Sequence, residues 1–87
     1  MVTSVIKVKN ETGLHARPAS MFVKLAKNFD ATVEVKKGEK KINGKSMLGL
    51  LSMSIVQGDE IELIIDGDDE GSALETLEEL FSKDLVD

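Results

Sequence analysis

The sequence predicts an α+β fold: a four-stranded antiparallel sheet, left open on one face and covered by three helices on the other. Two observations carry this. Four segments alternate apolar and polar residues at the period of a half-buried strand, and three others space their apolar residues as helices do. In chain order they run strand–helix–strand–strand–helix–strand–helix, and helices on one side of an antiparallel sheet form a two-layer sandwich around one core. With 87 residues the chain is expected to form a single domain, 1–87, since separate cores need more chain.

The first strand falls within residues 2–9, with Ile6 and Val8 on one side and Lys7 and Lys9 on the other. Asn10-Glu11-Thr12-Gly13 breaks it into a loop. A helix over about 16–28 buries Phe22, Leu25, Ala26 and Phe29 and exposes Ser20, Lys24 and Lys27. Pro18 suits its first turn, where the amide that proline lacks has no helical partner anyway. Arg17 precedes that proline and is biased away from helical dihedrals, which leaves the start unfixed.

Residues 32–36 form the second strand, with Val33 and Val35 inward; Lys37-Gly38-Glu39 turns into a short third strand over 40–43. Its lysines suit a sheet edge, where they discourage pairing with other chains. Ser46 is placed as the N-cap of a short helix over 47–53, without a capping box because residue 49 is Gly. Residues 60–66 are the last strand, with Ile61, Leu63 and Ile65 inward and Ile64 on the other face. Gly67-Asp68-Asp69 turns the chain and caps a final helix over about 69–82. Its core stripe is Ala73, Leu74, Leu77, Leu80 and Phe81, with Glu75, Glu78 and Glu79 toward water. Periodicity assigns faces to the strands but does not order them.

Composition narrows the function classes. Absence of cysteine excludes disulfides and thiolate metal sites and fits a reducing compartment. No apolar run reaches the roughly 20 residues of a membrane span, and no signal-peptide core is present, so a cytoplasmic protein without membrane insertion is expected. The net charge of −5 is uneven: residues 1–56 hold ten Lys/Arg against four acids, and residues 57–87 hold one Lys against twelve acids. An acidic chain is a poor nucleic-acid binder, whereas its basic half can steer an acidic protein partner toward residues 15–48.

The stretch Gly13-Leu14-His15-Ala16-Arg17-Pro18-Ala19-Ser20 holds the only histidine, arginine and proline of the chain. It lies at the entrance of the first long helix, where backbone amides and the helix dipole favour an anion. A neutral imidazole there is a nucleophile with its lone pair free, and Arg17 with the amides of Ala16 and Arg17 can hold a phosphoryl group. No metal or other cofactor is called for. Around the second helix Met47, Leu48 and Leu51 share a side opposite Leu50 and Met53. A small domain cannot bury both sides, and apolar residues left outside mark a partner surface.

The string Gly-Leu-His-Ala-Arg-Pro-Ala, the position of the histidine, the chain length and the segment around Ser46 resemble the HPr family, phosphocarriers of the bacterial phosphoenolpyruvate:sugar phosphotransferase system. That resemblance implies the strand order 1-4-2-3. It implies phosphorylation of His15 at Nδ1 by phosphorylated enzyme I and transfer to sugar-specific IIA components, so that the protein is a carrier, not an enzyme. A partner surface is expected at Ser20, Met21, Lys24, Lys27 and Lys45 together with Met47, Leu48 and Leu51. In Gram-positive members the serine matching Ser46 is phosphorylated by HPr kinase/phosphorylase and the product acts with a LacI-type catabolite control protein. Glu11, the nearest acid in sequence, is read as solvating its loop. Ser54 departs from the family, in which many members have Gly, and the paralogue Crh is excluded because it lacks the histidine that His15 supplies. The alternatives are a nitrogen-branch paralogue, an acylphosphatase-like hydrolase, an RNA-recognition module, whose strands need aromatics absent here, and a purely regulatory binding domain.

Overall fold

In the computed structural model, which describes residues 1–9, 11 and 13–84 (83 and 84 by backbone alone), seven elements follow the expected order. They are β1 (Val2–Lys7), α1 (Ala16–Ala26), β2 (Thr32–Lys37), β3 (Lys40–Asn43), α2 (Met47–Ser52), β4 (Glu60–Asp66) and α3 (Glu70–Glu79), which runs on into a wider π turn, Leu80–Asp84. The expected loop residues Asn10 and Thr12 lie outside the described residues.

All strand pairs are antiparallel and the order is β1-β4-β2-β3. Central β4 sets Ile61, Leu63 and Ile65 toward the helices, and β2 sets Val33 and Val35 beside them; all five are buried. Phe22 of α1, Leu50 of α2, and Leu77 and Leu80 at the α3 end close the core from the other layer, with Phe22 and Phe81 edge to face at 5.9 Å. Each such large side chain contributes about 1.5–3 kcal/mol on burial. Among the described residues no polar or charged one is buried, so polar contacts act at the rims of the layers. The open face of the sheet is charged: Glu62, Lys36 and Lys41 line up across three strands, and Lys41 lies 3.8 Å from Glu34.

The helix limits differ from the sequence reading for local reasons. α1 ends at Ala26; Asn28 and Phe29 donate to Leu25 and Ala26, three residues back, which tightens the last turn out of the α-helix. Its buried stripe is Ala19, Phe22, Val23 and Ala26, at intervals of three, one and three residues. Val23 therefore takes the core position expected of Leu25, which flanks the stripe half-buried, as Phe29 does beyond the helix end. α1 also includes Arg17 despite Pro18: the proline is the third helical residue, where its nitrogen has no helical carbonyl to meet.

α3 starts at Glu70, one residue later than expected, and its caps are redistributed. Asp69 occupies the N-cap position without a side-chain capping bond. Its carboxylate instead accepts from the amides of Asp30 and Ala31, both at 2.8 Å, tying α3 to the loop after α1. Glu70 reaches back to the Gly67 amide at 3.1 Å. Glu78, though exposed, accepts from the Ser4 hydroxyl of β1 at 2.6 Å.

The β2–β3 hairpin turns at Gly38, whose φ of +61° suits a residue without Cβ. Its lysines are not simple edge guards. Lys40 donates to the Ser52 carbonyl at 3.0 Å, and Lys37 to those of Met53 and Ser54 at 3.3 and 3.2 Å. Two ammonium groups thus meet the C-terminal end of α2, the negative end of its dipole. Lys41 alone among the three stays on the open face.

Candidate functional site

His15 is the N-cap residue of α1, extended at φ −76° and ψ −170°, and its side chain makes no capping bond. The residues beside it are anchored. Leu14 is buried and its amide donates to the Ile55 carbonyl at 3.1 Å; Pro18 and Ala19 are buried on the helical side, with the Ala19 amide on the His15 carbonyl at 2.9 Å. His15, Ala16 and Arg17 between these anchors are exposed. Gly13 makes the approach possible: its φ is +60°, and a Cβ there would stand 2.3 Å from the Ile55 carbonyl oxygen. The imidazole is thereby held at the surface by its neighbours' burial, with no bond of its own among the described residues.

The amides of Ala16 and Arg17 have no carbonyl four residues back within the helix, and no bond from them to another described residue is present. Pro18 contributes none. A dipole end with two amides that bond to no other described residue, one guanidinium and one imidazole therefore fall within three residues. Glu11 is exposed in the preceding loop. Among the described residues no group of three or more His, Asp or Glu could hold a metal ion.

Along α1 the expected partner residues continue outward: Ser20 and Met21 half-buried, Lys24 and Lys27 exposed. α2 packs beside α1. Leu50 and Met53 face the core, while Leu48 is 81% and Leu51 39% exposed. Met47 packs partly against the core, so the open apolar surface of α2 is chiefly Leu48 and Leu51. Val56, 49% exposed on the next loop, was not anticipated; an Ile-Val pair before a Gln-Gly turn carries no periodic signal. Ser46 is the N-cap of α2, its Oγ accepting from the Gly49 amide at 3.0 Å. The Lys45 ammonium is engaged by the Phe29 carbonyl at 2.7 Å, so it braces α1 to the loop before α2.

The family model described as PTS HPr component phosphorylation site matches residues 2–83. The chain belongs to the HPr family. Phosphocarrier protein HPr of Treponema pallidum is 38% identical over 81 residues, covering 93% of this chain and 92% of that one. HPr-like protein Crh of Bacillus subtilis is 46% identical over 77 residues, 88% of this chain and 91% of its own. Among solved structures, HPr from Thermoanaerobacter tengcongensis superposes with a TM-score of 0.92 at 43% identity, over 94% of this chain and 92% of that one. The HPr fold, with its sheet order and three helices, is thus shared throughout the described chain, and the chain is an HPr-type phosphocarrier by family.

Proposed function

We propose that this protein accepts a phosphoryl group on His15 Nδ1 from phosphorylated enzyme I and passes it to sugar-specific IIA components. The observation that carries the reading is the exposed imidazole at the N-cap of α1, beside Arg17 and two amides that, like the ring, bond to no other described residue. The neutral ring attacks phosphorus with the Nδ1 lone pair while the bond from phosphorus to the donor breaks and its electron pair returns to the donor. The ring keeps its other N–H, so no proton has to move and no general base is required. Arg17 and the amides of Ala16 and Arg17 neutralise the equatorial oxygens as they pass. The second transfer repeats these steps with His15 as the leaving group.

Leu48 and Leu51, with Lys24 and Lys27 along α1, form the surface that enzyme I and the IIA components meet. Ser46, already the cap of α2, is the site at which HPr kinase/phosphorylase adds a regulatory phosphate, and the product acts with a LacI-type catabolite control protein. No helix among the described residues is long and apolar enough to cross a membrane, and we place the protein in the cytoplasm.

The 46% identity to Crh, which stands beside 43% to the Thermoanaerobacter HPr, gives a second reading, a regulator without phosphoryl transfer. His15 separates the two, because only a carrier needs it. Incubation with phosphoenolpyruvate and enzyme I is expected to place one acid-labile phosphate on the protein. His15→Ala should abolish labelling with the fold intact, and Arg17→Ala should slow it far more than it weakens docking, with Arg17→Lys recovering only part. Labelling that persists in His15→Ala overturns the carrier reading.

A further inference from the structure

Lys37 lies far in sequence from both the histidine and the apolar surface of α2, yet its side chain meets the chain between them. The ammonium has three acceptors: the carbonyls of Met53 and Ser54, at 3.3 and 3.2 Å, and Asp59 Oδ2 at 2.9 Å. The loop from α2 to β4 is therefore folded around one cation. Asp59 closes it further, with Oδ2 also accepting from the Val56 amide at 2.9 Å. On its other side the same loop is the seat of the His15 segment. The Ile55 carbonyl accepts from Leu14, and Gly13 lies directly against the backbone of Ile55 and Val56. Lys37 and Asp59 are each about one-quarter to one-third exposed, so the pair is only partly sheltered, and the two carbonyls beside it add to what holds the ammonium.

We propose that Lys37, with Asp59, is a positioning residue that fixes the docking helix α2 and the His15 segment in one relative geometry. The inference rests on the phosphocarrier reading above. A partner that grips Leu48 and Leu51 must find the imidazole in line with its phosphorus, and a rigid link between the two surfaces removes that search. Lys40, on the Ser52 carbonyl, supports the same helix end but touches neither Asp59 nor the loop beyond. The link therefore runs through Lys37.

The test uses Lys37→Met, which keeps the length and apolar stem of the side chain and removes its cation. In transfer from enzyme I, kcat is expected to fall about tenfold, as a small misalignment of reacting atoms does. KM for the protein should move much less, because the apolar surface itself is untouched. Lys37→Arg should restore most of the rate. Exchange of the Leu14 amide, followed by NMR without any partner, should quicken about tenfold in Lys37→Met as its seat loosens. If Lys37→Met does not fold, Asp59→Asn, which leaves the lysine on its two carbonyls, is expected to show the same two changes. Unaltered kcat together with unaltered Leu14 exchange overturns the proposal, as does a change confined to KM. Wild-type protein that takes no phosphate at all overturns the phosphocarrier reading instead, and Leu14 exchange then still decides whether Lys37 holds the loop.

Discussion

Ser54 follows the last turn of α2 with φ at +51°, the one left-handed residue other than glycine among those described. A Cβ in that region costs about 1–2 kcal/mol, partly offset by the chain entropy that a glycine would lose. Ser54→Gly is therefore expected to raise stability by about 0.5–1 kcal/mol, read as a higher urea midpoint at unchanged m-value. An unchanged or lower midpoint would mean that the serine side chain offsets the strain. The departure from the family's glycine at this position thus carries a backbone cost. His15 and Arg17 were legible because their chemistry lies in one contiguous string at a helix entrance. Lys37 was not. Its acceptors come 16, 17 and 22 residues later, and nothing local distinguishes it from Lys36 or Lys41, which stay on the open face.

Among the elements, α2 concentrates the consequences. Its six residues divide into a core side at Leu50 and an outer side at Leu48 and Leu51, and its first turn is closed by Ser46. Leu48→Glu should weaken binding to enzyme I at least tenfold while moving the melting temperature little, since the side chain touches water already. A variant that unfolds would place Leu48 in the core. Ser46→Asp keeps an acceptor for the Gly49 amide and adds negative charge at the positive end of the helix, so the fold should hold or gain slightly. Its effect should fall on docking: slower labelling of His15, relieved by salt if repulsion of an acidic partner is the cause. Equal rates for Ser46→Asp and wild type would leave Ser46 a cap alone. Where the elements lie was readable from periodicity. Their ends were not, because α1 stops through a tightened turn and α3 starts late, its Asp69 being taken by the amides of Asp30 and Ala31.

Across the whole molecule, that same carboxylate joins the two long helices' surroundings. Hydrogen bonds from Asp30, and then Ala31, hold Asp69 below its ordinary pKa of 3.8; the Gly67 amide and then the Met1 amino group do the same for Glu70. A carboxylate depressed in the folded state adds stability above its unfolded pKa and loses it as pH falls through the folded one. Asp69→Asn should therefore melt lower than wild type near neutrality, with the gap narrowing below about pH 4 as the wild-type group protonates. A gap independent of pH would mean that the amide substitute fails for reasons of shape. The strand order was the feature that residue patterns left open, since alternation shows which face is buried but not which strand lies alongside. It became an expectation only through likeness to the family, and the β1-β4-β2-β3 sheet agrees with it.

The way His15 is mounted has an evolutionary side. Its neighbours Leu14, Pro18 and Ala19 secure the segment, and Gly13 admits no side chain, but the imidazole itself bonds to none of the described residues. After gene duplication a copy could exchange the histidine for almost any residue and still inherit the sheet, the helices and the outer side of α2. Selection for binding alone would then act on an intact scaffold. The reverse change, from binder to carrier, would need a single codon at a position already prepared to receive it.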